Sequence, residues 1–179
     1  MKSNVVLIGF MGVGKTTVGE ALASRLKKRF ARTDDLIVEL AKKPIPKIFR
    51  EDGESRFREL EMEVVRQVSE EDNSVIDCGG GVVLNRVNIE RLRKKSTIVL
   101  LTASPEKILR RLKKDESKRP LLSVPNQLER IKELLIAREA FYKESADFEV
   151  DTSYLDKNEV VDKIFRMLSD NHPSGSKKS

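Results

Sequence analysis

The stretch Gly9-Phe10-Met11-Gly12-Val13-Gly14-Lys15-Thr16-Thr17 decides how the rest of this chain reads. Ahead of it runs the apolar, β-branched segment Val5-Val6-Leu7-Ile8. Behind it Val18, Ala21, Leu22 and Leu26 recur at helical spacing. A buried strand, a glycine loop and a helix, in that order, are the setting in which G-x-x-x-x-G-K-[ST] forms a phosphate cradle. Glycines allow turns barred to other residues and bring backbone N–H groups close to an anion. The helix start adds unpaired N–H groups and the positive end of its dipole. In this pattern the lysine, Lys15, reaches the β- and γ-phosphates, and the hydroxyl of Thr16 ligates Mg²⁺. Gly12, Val13, Gly14 and Thr17 complete the candidate contacts to a nucleoside triphosphate.

Further apolar runs at residues 75–76, 98–101 and 148–150 are short and separated by helical patterns. That alternation predicts a parallel sheet covered on both faces, a doubly wound α/β fold of five strands. A weaker strand is expected at residues 31–33, just before Asp34. Helices are predicted at 15–28, 55–68, 86–93, 105–112, 127–142 and 158–168. In the second of these Phe57, Leu60, Val64 and Val68 mark one face.

The 179 residues suit one domain, expected at 1–170, with a disordered tail at 171–179. Charged residues make up 36% of the chain against a usual share of about 25%, so the surface is dense in ions. The net charge of +6 is spread along the chain, and Trp is absent. Base-stacking platforms are therefore poorly supplied, and nucleic acid is not an expected partner. No apolar run approaches the ~18 residues that cross a membrane. The N-terminal Met1-Lys2-Ser3-Asn4 carries no signal-peptide pattern, and the lone Cys78 suits a reducing compartment, so a cytoplasmic monomer is expected. The single histidine, His172, falls in the tail and offers no base. Residues 113–125 combine a run of charges with Arg119-Pro120-Leu121-Leu122 and Pro125, the composition of a lid that delivers an arginine to phosphate on closing.

Beyond the glycine loop stand Thr33-Asp34-Asp35, then Arg56-Phe57-Arg58, Gly79-Gly80-Gly81 and Arg119-Pro120-Leu121-Leu122. Arg138 follows, ahead of Phe141-Tyr142. Arg58, Arg119 and Arg138 give three guanidinium groups to a site that must hold an anion besides ATP. Asp34 at a strand end lies where open α/β sheets bind ligands, and could accept the proton of an attacking hydroxyl. Singly, each arginine is more often a surface charge, and Asp34 and Asp35 suit the first turn of a helix. In this order and spacing, from about Val5 to Thr152, the set resembles shikimate kinase.

The resemblance implies transfer of the ATP γ-phosphate to the 3-hydroxyl of shikimate, a step towards chorismate and the aromatic amino acids, with Mg²⁺ as cofactor. It implies that Asp34 orients the acceptor hydroxyl, that Arg58 and Arg138 hold the shikimate carboxylate, and that Gly79, Gly80 and Gly81 line the substrate through their backbone. Arg119 would close over the transferring group, and Arg111 would lie under the adenine, with the loop at 152–158 beside it. Kinases of another small acid, sugar or nucleotide are the alternative within the class, and a nucleotide-gated binding protein outside it. One departure stands out: the family usually carries Asp-x-Asp where this chain reads Arg32-Thr33-Asp34. Either Asp77 or Asp34 is then expected to support the metal, with Arg32 pointing elsewhere. Alternation along the strand leaves open that Asp77 faces away, and that orientation is the one favoured.

Overall fold

The computed structural model describes residues 2–114 and 125–170. Its centre is a five-stranded sheet built from β1 (Asn4–Ile8), β2 (Arg29–Arg32), β3 (Ser74–Asp77), β4 (Ser96–Thr102) and β5 (Phe148–Asp151), in the order β2-β3-β1-β4-β5. Every neighbouring pair is parallel. Parallel strands require crossovers, and helices supply them. These are α1 (Lys15–Leu26), α2 (Thr33–Ala41), α3 (Ile45–Glu51), α4 (Gly53–Glu70), α5 (Arg86–Lys95), α6 (Pro105–Leu112), α7 (Gln127–Ser145) and α8 (Lys157–Asp170). The chain starts in the central strand, crosses to the edge strand β2, returns through β3 and then passes to β4 and β5 on the other side. The expected doubly wound sheet is therefore observed.

Alternation along the strands sorts the core into two layers. Val6, Ile8, Ile76, Ile98 and Leu100 pack with Val64, Val65 and Leu92 of α4 and α5. Val5, Leu7, Val75, Val99 and Leu101 pack with Val18, Leu22, Ile108 and Ile164 on the opposite face. Strand β1 is buried throughout, as a central parallel strand must be.

Helix starts follow local chemistry. Ser104 accepts the N–H of Lys107 at 3.2 Å ahead of α6, and Pro105 occupies the first turn, where no donor is needed. Asn85 accepts the N–H of Val87 at 3.0 Å ahead of α5. The structure moves the second strand to Arg29–Arg32, so that Thr33 opens a helix rather than ending a strand. It also adds α2 and α3, which no predicted helix covered. The second hides behind Lys43-Pro44-Ile45-Pro46, whose prolines read as loop but serve as a helix start. Its Ile48 is fully buried. The expected lid and Arg119 lie outside the described residues, apart from Lys113, Lys114 and Pro125, as does the tail at 171–179. No described helix is long and apolar enough to cross a membrane.

Candidate active site

The glycine loop leaves the C-terminal end of β1 and enters α1, as its sequence requires. Gly12 and Gly14 hold φ of 77° and 102°, angles that a side chain would strain, and Gly14 caps α1. Lys15 is folded back over the loop and donates from Nζ to the carbonyls of Gly9 at 2.9 Å and Phe10 at 3.1 Å. Behind the loop stands Arg111, from the last turn of α6. Its Nη1 donates to the carbonyls of Gly12 at 3.2 Å and Val13 at 3.0 Å, and to Thr152 Oγ1 at 2.9 Å. Its Nη2 donates to the Thr152 carbonyl at 2.9 Å. One guanidinium thus ties the phosphate loop to the loop after β5 and places positive charge at both. Burial, then repulsion from Arg110, lowers the pKa of Arg111 from its ordinary value. A cavity of about 430 Å³ opens over the loop, bounded on the far side by Leu155 and Asp156.

The floor of this cavity carries an oxygen pair. Thr16 Oγ1 donates to Asp77 Oδ2 at 2.6 Å. Asp77 therefore faces the site, and the favoured expectation that it faces away is corrected. The reason is register: Val75 packs on the α1 side of the sheet, so Asp77, two residues on, projects to the same side, where α1 begins. Arg32 is corrected with it. Strands β2 and β3 pair Arg32 with Asp77, and Arg32 lines the cavity instead of pointing away.

A second corner adjoins the cavity across Asp34, Gly79 and Gly80. Asp34 lies in the first turn of α2, so the reading of Asp34 and Asp35 as first-turn acids also holds. A Cβ on Gly79 would come within 2.8 Å of Asp34 Oδ1, and one on Gly81 would collide with the Arg58 guanidinium. Room for neighbouring side chains is thus a reason for glycine here. Arg58 donates from Nη1 to Glu61 Oε2 at 2.9 Å and from Nη2 to Glu54 Oε1 at 3.1 Å. Arg138 on α7 is 7% exposed, donates to the Gly80 carbonyl at 3.3 Å, and lies over the Phe10 ring at 5.9 Å from its centroid. Tyr142, one turn on, donates its hydroxyl to the same carbonyl at 2.5 Å. Burial pushes that phenol up to about 12. Burial likewise raises the Cys78 thiol, which makes it a packed residue rather than a nucleophile.

The sequence pattern does not single out Glu61, and it includes Tyr142 without assigning it a role. Glu61 is only 1% exposed, and its Oε1 has no hydrogen-bond partner among the described residues. Burial drives its carboxyl above the usual carboxylate range, and the Arg58 guanidinium opposes that rise. The available signal was a glutamate set beside Leu60 and Val64, on the apolar face of α4. The role of Tyr142 was legible in its place four residues after Arg138, hence on the same helix face. The structure thus brings Gly12, Val13, Gly14, Lys15, Thr16, Thr17, Asp34, Gly79, Gly80 and Arg111 to one cavity. Arg58, Gly81 and Arg138 stand just behind its glycine wall.

The family model for shikimate kinase matches residues 11–169. The chain belongs to the shikimate kinase family. It is 47% identical over 163 residues to the shikimate kinase of Caldanaerobacter subterraneus subsp. tengcongensis, covering 91% of this chain and 94% of that protein. Among solved structures it resembles the shikimate kinase from Acinetobacter baumannii in complex with shikimate, with TM-score 0.91, 32% identity and 96% of each chain covered. It also resembles the Aquifex aeolicus shikimate kinase, with TM-score 0.82, 36% identity, and 96% of this chain and 99% of that one covered. The activity is accordingly that of a shikimate kinase, an ATP-dependent phosphotransferase.

Proposed function

We propose that the cavity over the glycine loop holds ATP and that the corner behind Gly79–Gly81 holds shikimate, with transfer to the 3-hydroxyl at Asp34, where the two meet. The observation that carries this reading is the shared wall: Asp34, Gly79 and Gly80 bound the nucleotide cavity, while Gly80 and Gly81 are the residues against which Arg138 and Arg58 pack.

In this reading the acceptor oxygen attacks the γ-phosphorus as the bond to the β–γ bridging oxygen breaks. The hydroxyl proton passes to the Asp34 carboxylate, and ADP leaves. No covalent intermediate is formed. Arg58 and Arg138 clamp the substrate carboxylate; planar guanidinium forks fix its angle as well as its distance. Phe10 and Tyr142, both buried, stand beside the Arg138 arm of the clamp. Lys15 moves from the loop carbonyls towards the β- and γ-phosphates, and Arg119 adds charge from the lid. Arg111 supports the loop beneath the nucleotide.

The residues at the floor fit a magnesium ion. Thr16 and Asp77 present a hydroxyl and a carboxylate, hard oxygen groups already in contact. No group of three or more His, Cys, Asp or Glu among the described residues could form an all-protein cage. Magnesium usually binds through one or two protein groups, with waters and phosphates completing its shell. Thr16 would hold the ion and Asp77 would orient the Thr16 lone pair. When bound, the ion neutralises charge on the phosphate oxygens.

The proposal takes the site to work as a monomer, within a single domain at 1–170. The lone buried Cys78 suits a reducing cytoplasm. A coupled ADP-release assay tests the function. ADP release that requires shikimate is expected, and equal release without it overturns the acceptor assignment.

A further inference from the structure

We propose that Arg32 is a resident cation of the phosphate site, one that strengthens binding of metal-free nucleotide and so reduces the site's reliance on magnesium. The inference rests on the nucleotide reading of the glycine loop. It begins with register: β2 and β3 set Arg32 directly beside Asp77. Arg32 Nε lies 3.8 Å from Asp77 Oδ2, the same oxygen that accepts the Thr16 hydroxyl at 2.6 Å. Arg32 Nη1 donates to Asp35 Oδ2 at 3.1 Å, so the guanidinium is anchored from its outer side. Its Nε is buried and has no hydrogen-bond partner among the described residues, a state that folded proteins rarely leave uncompensated. The side chain nevertheless lines the cavity with Lys15, Thr16 and Arg111.

Charge decides what this arrangement does. The guanidinium brings a full positive charge to this edge of the cavity. It already balances Asp77, the carboxylate best placed to favour a cation on Thr16. A divalent ion arriving there meets a like charge and a partly neutralised carboxylate, and gains less than it would beside a free one. A polyphosphate meets the opposite balance. Lys15, Arg32, Arg111 and Lys157 line its cavity, against the acids Asp34, Asp77 and Asp156. Because the Arg32 side chain is 38% exposed, solvent screens part of this effect and its size is moderate.

Calorimetric titration of ADP onto the full chain, once with excess chelator and once with saturating Mg²⁺, tests the proposal without turnover. Wild type is expected to lose less than about tenfold in affinity when magnesium is removed, the scale of one partly screened charge. A larger loss overturns the proposal without recourse to any variant. In Arg32→Gln, metal-free affinity should fall by about tenfold while magnesium-loaded affinity falls by about twofold, so the ratio of the two widens. Arg32→Lys, which keeps the charge and loses the fork, should stay near the wild-type ratio. A ratio unchanged in Arg32→Gln, whether both affinities hold or both fall together, makes Arg32 a scaffold for Asp35 and Asp77 and overturns the proposal. Absence of ADP binding by wild type in both buffers overturns the nucleotide reading itself.

Discussion

The two halves of the site are built on different principles. The half proposed to hold phosphate centres on one contiguous loop, residues 9–17, where the proposed work falls mainly to backbone geometry and to Lys15 and Thr16. The half proposed for the acceptor is assembled from side chains on α2, α4 and α7 around the turn after β3. In the first half, local sequence imposes the shape, and the fold need only present it. In the second, no local stretch means anything until the sheet order β2-β3-β1 brings the pieces together. Substitutions in the two halves should therefore fail differently. The loop should lose chemistry, whereas the corner should lose recognition of the acceptor and keep the nucleotide.

Lys15→Ala should give the largest effect. It removes the one side chain of the loop able to follow charge on the transferring group, and kcat/KM should drop by about 10³-fold or more. The thermal midpoint should stay near wild type, because the carbonyls of Gly9 and Phe10 that Lys15 contacts can be taken up by water in the opened cavity. Steady-state kinetics beside a calorimetric melt checks both. Retained turnover would remove Lys15 from the phosphate role and erase the contrast between the halves.

Next in size come Arg138→Ala and Arg58→Ala. Each should raise the KM for shikimate by more than about tenfold, as loss of a charge-assisted pair would, and leave nucleotide affinity within about twofold. Lysine at either position should rescue poorly, since a point charge cannot reproduce a fork. The larger loss is expected at Arg138, which also holds the Gly80 carbonyl and is nearly enclosed. If ATP binding collapses in either variant, the two corners are not separable and the clamp is misassigned.

The same division governed how far sequence could reach. Strands β1 and β4 announce themselves as continuous β-branched runs, and the loop between β1 and α1 carries its own meaning. Pro46 disguised α3, because one proline serves equally as a loop residue and as a helix start. Arg58 and Arg138 were singled out by their place in a family pattern, not by any spacing that would set them apart from other arginines. Asp77 and Arg32 depended on which side of the sheet each strand presents. That choice is settled by pairing with a partner more than forty residues away. Glu61 was overlooked because the apolar face of α4 was read for its hydrophobes alone. Groups fixed by backbone were visible, and groups fixed by tertiary register were not.

The smallest expected effect belongs to Glu61→Gln, and it sharpens the comparison by asking what the buried acid contributes. Glu61 holds Arg58 from below, while Glu54 holds it from the solvent side. Removing the charge of Glu61 leaves Arg58 one charged partner, and the KM for shikimate should rise by about threefold, the scale of a single modest ion pair. Stability should respond to pH in a defined direction. Burial raises the folded-state pKa of Glu61 above its ordinary 4.5, against the pull of Arg58. As pH climbs past 4.5, the unfolded chain loses this proton before the folded chain does, so the folded state binds more protons and stability falls. The contribution is thus fully present below 4.5 and is lost as pH rises through the raised folded value. Glutamine cannot ionise, so the variant should lack this decline, and its stability relative to wild type should improve between pH 4 and pH 7. Urea unfolding of both proteins at the two pH values measures the difference directly. A gap that stays constant would mean that Arg58 fully offsets burial, so that the carboxyl titrates alike in the folded and unfolded chains, and a gap that moves the opposite way would mean that Arg58 keeps Glu61 ionised in a buried ion pair.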